Sequence, residues 1–267
     1  MNISKYYILI AERITDCSLL EAMLEKFMGF IPYNNKKELP LLFQEMIGNY
    51  PTASGELKRQ DSPTFYHNDE IAVAVKQTNG HTNIPSIVDM LTNTVEKCDA
   101  YDNFGGFLIF CDADLLGREK IKNKFQDLFE KLDIIYENES LTIYNHEICI
   151  KLYVFPNNGN GAVEKLLLEC ANISYNSVYE EAQKYRNIIM TDEFKDIRKE
   201  CWASQEDIQE FYADKVQFGA VSTVLKPDRP VRFAIKDRLI RKEHLEEYSK
   251  LPQFSVLHNF LKENLIA

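Results

Sequence analysis

The chain has 267 residues, of which 45% are hydrophobic and 27% charged, and it carries a net charge of −10. This composition is that of a soluble globular protein with a sizeable core, and no apolar run approaches the roughly 18 residues that a membrane span requires. The negative charge argues against strong, indiscriminate binding of nucleic acid, although a local basic groove is compatible with it.

The six cysteines and five histidines are scattered along the chain. They lack the short spacings of a zinc site, and we expect reduced, mostly buried cysteines. The opening residues, MNISKYYILIAERITD, contain a short apolar run without the small-residue cleavage site of a signal peptide. The sequence therefore predicts a cytosolic protein without a zinc site and without membrane attachment.

The first predicted elements are a strand and a helix. KYYILIAE (5–12) is short, continuously apolar and rich in aromatic and branched residues, which is typical of a buried strand. The next segment has helical spacing, and Ser18 with Glu21 resembles a capping box, so we expect the helix to begin near Ser18. Asp16 is interpreted as a cap or turn acid, with metal ligation as the alternative.

Residues 31–69 are predicted to be mostly irregular, with one short helix across 39–50. Three further strands are predicted, at 70–76, 106–114 and 148–156, the last within a hairpin that spans 132–156. Helices are predicted after these strands, at 84–97, 117–132 and 162–172.

The alternation of strands and helices predicts an α/β fold with a mostly parallel, four-stranded sheet and helices on both faces. Residues 1–170 would form this α/β domain, with 31–69 as an irregular insertion. From 171 onward the segments have helical spacing, so 171–267 is predicted to be a helical carboxyl-terminal extension packed on the domain.

Acidic residues follow three of the predicted strands. Glu12 follows the first, Asp112 and Asp114 end the third, and Glu164 lies just past the loop after the fourth. Alternate side chains of an extended chain share a face, so Asp112 and Asp114 are expected to lie together. Carboxylates at the carboxyl ends of strands suit Mg²⁺ or Mn²⁺, with water or substrate phosphates as further ligands. The pattern predicts a metal site built from Glu12, Asp112 and Asp114.

Each of these acids also has a simpler interpretation. Glu12 alone would be a solvated loop acid or a charge at a helix N-terminus. The Asp-Ala-Asp sequence would be a turn or cap, and Glu164 a charge that complements a helix dipole. The loop TNGHTN (78–83) would be an ordinary turn. The alternative is that its Asn79, His81 and Asn83 contact a phosphate or water.

The order of strand, Glu12, helix, strand and Asp112-Ala-Asp114 resembles the TOPRIM fold of topoisomerases, bacterial primases and OLD-family nucleases. AERITDCSLLEAML (11–24) is similar to the opening of the OLD-like branch, which usually has glycine where this chain has Arg13. LYVFPNNGNGAVEKLLLE (152–169), KPDRPVRFAIKDRLI (226–240) and LPQFSVLHNFL (251–261) are similar to an uncharacterised prokaryotic group related to OLD nucleases. The resemblance implies that Glu12, Asp112 and Asp114 bind Mg²⁺.

The leading hypothesis is Mg²⁺-dependent hydrolysis of phosphodiester bonds in nucleic acid. Glu164 would assist or bind a second ion, and Glu12 would alternatively serve as general base. The basic stretch 226–242 would guide the nucleic acid, although a solvated amphipathic face is the simpler interpretation. The contacts predicted in it are Arg229, Arg232, Lys236 and Arg238.

Two other functions are compatible with the sequence. One is a non-catalytic binding or regulatory module that works beside an ATPase partner, which the net acidity and Arg13 favour. The other is a phosphoryl-transfer enzyme that acts on a small molecule in an enclosed pocket.

Overall fold

The computed structural model describes residues 3–47, 63–132, 134–137, 139–143, 146–202 and 206–266. The chain divides into two compact units. Unit 1 comprises Met1–Cys111, Lys122–Tyr153 and Lys262–Ala267, and unit 2 comprises Asp112–Ile121 and Val154–Leu261. The polypeptide therefore passes from unit 1 into unit 2 at the last residue of one strand and near the end of another.

The strands are β1 (Lys5–Ala11), β2 (Ile31–Pro32), β3 (Thr64–His67), β4 (Ile71–Gln77), β5 (Phe104–Asp112), β6 (Ile135–Glu137), β7 (Ser140–Ile143) and β8 (His146–Phe155). They form one eight-stranded sheet in the order β2-β3-β4-β1-β5-β8-β7-β6. β1 pairs in parallel with both β4 and β5. The pairs β2–β3, β3–β4, β6–β7 and β7–β8 are antiparallel.

The predicted four-stranded, mostly parallel sheet is therefore wrong: the sheet is mixed, and antiparallel strands flank its parallel centre. β2 and β3 lie in the segment predicted to be irregular, and β6 and β7 replace the single predicted hairpin partner. These strands have only two to four residues. So short a strand shows little periodicity, and its stability comes from pairing with neighbours that are distant in sequence or follow a turn.

Unit 1 contains the first helices, α1 (Ile14–Phe27), α2 (Leu41–Ile47) and α3 (Ile84–Lys97), and most of α4 (Arg118–Glu130). The last three residues of the helix predicted at 39–50 lie outside the described residues. Unit 2 contains α5 (Glu164–Ser174), α6 (Asn176–Ile189), α7 (Lys195–Cys201), α8 (Glu206–Leu225), α9 (Val231–Ala234), α10 (Leu245–Tyr248) and most of α11 (Pro252–Leu265). A π-helical turn, Ile235–Leu239, follows α9 directly.

Helix α1 begins four residues before the predicted start at Ser18. The backbone N–H of Arg13 donates to Oδ2 of Asp16 at 2.9 Å, which supplies the cap at the beginning of the helix. The Ser18 hydroxyl instead donates to the Ile14 carbonyl one turn back. Asp16 is therefore the capping acid that the sequence predicted, and Ser18 is an interior residue of the helix.

The core of unit 1 lies on both sides of the parallel strands. Ile8, Leu9 and Ile10 are all fully buried, which explains why β1 is continuously apolar rather than alternating. Leu20 and Met23 of α1 are also fully buried. The apolar stripe of α1 therefore belongs to this core, as its spacing predicted.

No helix within the described ranges has both the length and the apolar character to span a bilayer. All six cysteines are free thiols.

Candidate functional site

The acid that follows β1 is buried in unit 1. The backbone N–H of Glu12 donates to the carbonyl of Phe110 in β5 at 3.2 Å, so Glu12 continues the line of the parallel ladder. Its side chain is 4% exposed, and Oε1 lies 3.5 Å from Nη2 of Arg13 and 4.0 Å from Nδ1 of His81. A buried carboxylate needs such partners to offset its lost hydration. The interpretation of Glu12 as a solvated loop acid is therefore wrong.

The loop after β4 closes against the end of β1. The backbone N–H groups of Thr78 and Gly80 donate to the carbonyls of Ala11 and Glu12 at 3.0 and 3.2 Å. Gly80 has φ of 126°, a conformation that favours glycine. The loop is thus an ordered turn, and it places His81 beside Glu12. Nε2 of His81 is buried and has no hydrogen-bond partner in the described part of the chain.

Asp112 is the last residue of β5 and is only 1% exposed. Its Oδ1 accepts a hydrogen bond from the backbone N–H of Val163 at 3.0 Å. Val163 immediately precedes α5, so the loop between β8 and α5 orients this carboxylate. Both residues belong to unit 2. Asp112 is therefore a buried acid that a backbone donor holds at the carboxyl end of an interior strand.

Asp114 lies beyond the end of β5. Its φ is 46°, in the left-handed region that Asp tolerates better than most residues. Its backbone exchanges two hydrogen bonds with Gly161, each of 2.8 Å. The alternation rule that predicted a face shared with Asp112 holds only for an extended chain, so it does not apply at Asp114. The bridge ties the loop after β5 to the loop before α5.

Glu164, the first residue of α5, is buried and ion-paired. Its side chain is 10% exposed, and both carboxylate oxygens lie 3.3 Å from Nζ of Lys215 on α8. The ammonium group also lies 4.6 Å from the centre of the Phe211 ring. Sequence reasoning missed Lys215 because no local pattern connects two residues 51 positions apart. Glu164 is thus more than a charge that complements a helix dipole.

Acids within and directly after the basic stretch 226–242 neutralise part of its charge. Lys226 pairs with Asp237 at 3.0 Å, and Arg241 pairs with Glu243. Nucleic-acid binding by this stretch stays a prediction. The residues concerned are Arg229, Arg232, Lys236 and Arg238.

The acids of the predicted metal site are divided between the units, with Glu12 in unit 1 and Asp112 and Asp114 in unit 2. Across the ranges that the structure describes, no group of three or more His, Cys, Asp or Glu side chains is arranged to hold a metal ion. Binding of Mg²⁺ by these three acids stays a prediction.

Comparison with known proteins identifies a fold and no family. No family model and no curated protein matches this chain. Among solved structures, the chain is similar to the hypothetical protein PH0156 from Pyrococcus horikoshii OT3, with a TM-score of 0.57 and 16% sequence identity. The similarity covers 97% of this chain and 98% of that one. At this level of identity, the comparison shows that the two chains share a fold, and it carries no information on activity.

Proposed function

We propose that this protein is a cytosolic, Mg²⁺-dependent enzyme that hydrolyses phosphodiester bonds in nucleic acid, similar to the OLD-related TOPRIM nucleases. The observation that carries the proposal is Asp112, a carboxylate 1% exposed at the end of an interior strand of the sheet. Ligands of α/β sheets bind at the carboxyl ends of strands. A buried carboxylate at that position favours a cation, because it has lost most of its hydration.

The donor chemistry fits Mg²⁺. This ion prefers oxygen ligands, and it commonly binds one or two carboxylates together with waters and substrate phosphates. Such a site does not require a closed group of three protein ligands. Asp112 and Asp114 would hold the ion, and the resemblance to TOPRIM proteins adds Glu12.

The bound ion would supply a Lewis acid that activates water and polarises a phosphoryl oxygen. Two residues of unit 2 act on the neighbouring carboxylates. Val163 orients the Asp112 carboxylate through its backbone N–H. Lys215 neutralises Glu164, so this second buried acid adds little repulsion toward an approaching phosphate. Glu12 would accept a proton from the attacking water if it is not itself a ligand.

Cleavage of labelled DNA and RNA in the presence of Mg²⁺ or Mn²⁺ tests the proposal. We expect Asp112→Asn to lower the cleavage rate by at least about 100-fold, because it removes the charge of a ligand. Asparagine keeps an oxygen that can accept the Val163 N–H, so the loop should stay in place. The matched control is Asp127→Asn, an exposed position on α4, which should cleave at the wild-type rate. Equal rates for the wild type and Asp112→Asn would contradict the proposal.

One observation favours a second function, a non-catalytic binding or regulatory module that works with an ATPase partner. Arg13 lies 3.5 Å from Glu12 and already supplies a positive charge to that acid. Calorimetric titration with Mg²⁺ discriminates between the two functions. If the wild type releases or absorbs heat on binding Mg²⁺ and Glu12→Gln does not, the enzyme is favoured. A silent titration, together with a stable complex with an ATPase, favours the module.

A further inference from the structure

Two cationic side chains of unit 2 are held in place by uncharged partners. Nη1 of Arg118 donates to the side-chain oxygen of Asn157 at 2.7 Å. Nζ of Lys165 donates to the backbone carbonyl of Asn160, also at 2.7 Å. Both contacts connect to the loop between β8 and α5, the loop that also orients Asp112.

Lys165 lies across the residue that pairs with Asp114, and Arg118 follows Asp114 by four positions in the chain. A Cβ atom on Gly161 would lie 2.8 Å from Cε and 3.0 Å from Nζ of Lys165, so the lysine side chain lies directly across Gly161. Gly161 is the residue that forms the two-bond bridge with Asp114. On the other side, a Cβ atom on Gly117 would lie 3.1 Å from the side-chain oxygen of Asn160. The residue after Gly117 is Arg118, so the backbone that carries Arg118 contacts the same loop as Lys165.

Among the described residues, no ion pair offsets the charge of these two cations, unlike two other cations of unit 2. Lys215 pairs with Glu164, and Lys226 pairs with Asp237. In the described part of the chain, neither Arg118 nor Lys165 forms an ion pair with a carboxylate, although the charge of Lys165 opposes the rise that burial causes in the pKa of Asp214. Oriented cations outside an ion pair are suited to an anion from solution, and Arg and Lys are the side chains that proteins use for phosphate.

The loop that precedes Arg118 and α4 also presents an apolar surface. Leu115 and Leu116 are 38% and 43% exposed, and they lie between Asp114 and Gly117 in the chain. Apolar side chains beside cations suit the faces of unpaired bases, whereas inorganic phosphate would make no use of them.

We infer that Arg118 and Lys165 bind the phosphate backbone of single-stranded nucleic acid beside Asp112 and Asp114, with Leu115 and Leu116 in contact with its bases. The inference rests on the proposed function for its choice of substrate class. It assigns substrate binding to two residues that the sequence did not single out.

Fluorescence anisotropy of a labelled single-stranded oligonucleotide, measured in EDTA, tests the inference without any contribution from hydrolysis. We expect the double variant Arg118→Gln/Lys165→Gln to bind at least tenfold more weakly. The slope of log affinity against log salt should fall in magnitude by about 1.4, because two phosphate contacts in a single strand contribute about 0.7 each. Arg118→Lys should keep most of the affinity, since it keeps the charge.

The matched control is Lys195→Gln/Lys199→Gln on α7, which removes the same charge at two exposed positions. Its affinity should stay within about twofold of the wild type.

Three results would overturn the inference. The first is an equal loss of affinity in the two double variants, and the second is a loss found only in a further variant of the basic stretch, Arg229→Gln/Arg238→Gln. The third is full displacement of the oligonucleotide by inorganic phosphate. Thermal unfolding of each variant checks that it is folded. Binding that depends on Arg118 and Lys165, without any Mg²⁺-dependent cleavage, would support this inference and contradict the proposed function. Mg²⁺-dependent cleavage by a protein whose binding does not depend on Arg118 and Lys165 would support the proposed function and overturn this inference.

Discussion

Glu164 and Lys215 show how one residue depends on another that is far away in the sequence. The carboxylate is buried at the beginning of α5, and its two oxygens share one ammonium group from α8. Because neither group is in full contact with water, each depends on the other to offset its lost hydration. Removing one partner should therefore cost more than breaking a surface ion pair.

We predict that Lys215→Met lowers the free energy of unfolding by about 2 kcal/mol, between the values for exposed and fully buried pairs. Urea denaturation measures the change. The control is Lys184→Met, since Lys184 and Glu181 form a pair in which both side chains are mostly exposed; its loss should be below about 0.5 kcal/mol. Adding Glu164→Gln to Lys215→Met should recover part of the stability. Equal losses at positions 215 and 184 would contradict this account.

At the level of elements, the close approach of β5 and β8 depends on Gly106. Its φ is 125°, and a Cβ atom there would lie 2.3 Å from the carbonyl oxygen of Cys149. A backbone oxygen in a sheet cannot move away as the end of a flexible side chain can. A side chain at this position would therefore separate the two strands.

We predict that Gly106→Ala destabilises the protein by about 3 kcal/mol or more, because it combines backbone strain with overlap against a carbonyl. Gly219→Ala on α8 is the matched control, since a Cβ atom there meets nothing within 4 Å. That variant should be more stable than the wild type by about 0.5–1 kcal/mol, the usual gain for alanine within a helix. Urea denaturation of both variants checks the prediction, and a stable Gly106→Ala would contradict it.

Tyr248 connects three elements of unit 2. Its hydroxyl donates to the carbonyl of Leu239 at 2.9 Å, accepts from the backbone N–H of Arg241 at 3.3 Å, and contacts the hydroxyl of Ser174 on α5. The side chain is fully buried. Burial raises the pKa of Tyr248 to about 12, from an ordinary value of 10.0. This hydroxyl therefore stabilises the end of the π-helical turn against α5 and α10.

We predict that Tyr248→Phe costs about 1–2 kcal/mol near neutral pH, because buried polar partners lose a hydrogen bond. The advantage of the wild type should be complete below pH 10 and should decrease as the pH rises toward 12. In that range the unfolded chain releases the tyrosine proton, while the folded chain retains it. Urea denaturation at several pH values measures the difference. Tyr185→Phe, at a position 49% exposed, is the control and should show neither effect. A constant difference across this pH range would argue against the account.

At the scale of the whole molecule, ligand binding should change the free energy of unfolding. Binding that is restricted to the folded state stabilises it by about 2.7 kcal/mol when the ligand is at 100 times its dissociation constant. The proposed site draws on buried acids that the folded chain positions. Mg²⁺ should therefore stabilise the wild type against unfolding.

We predict that Mg²⁺ raises the melting temperature of EDTA-treated wild-type protein and leaves that of Asp112→Asn unchanged. Differential scanning fluorimetry measures both. Asp127→Asn should respond like the wild type, because its charge lies on an exposed part of α4. A rise of the same size in Asp112→Asn would show that the ion binds elsewhere.

The sequence predicted the long elements well. β1, β4, β5 and β8 have seven to ten residues with strongly apolar runs, and each falls within about three residues of its predicted position. It missed β2 and β3, and it predicted one hairpin where the chain forms two antiparallel pairs, β6–β7 and β7–β8. It also placed the start of α1 at Ser18, because Ser18 and Glu21 have the spacing of a capping box. The cap is formed instead by Arg13 and Asp16, which have the same spacing.

The sequence by itself determined that Glu12 follows a buried strand and that Asp112 ends another, because the apolar pattern of a strand and the position of its last residue are local properties. Only the tertiary structure decided that the sheet is mixed, that Lys215 neutralises Glu164, and that Lys165 lies across Gly161, the residue that pairs with Asp114. Each of these depends on contacts between residues that lie far apart in the chain. Such contacts form when the chain pairs its strands and packs its helices, and no local pattern records them.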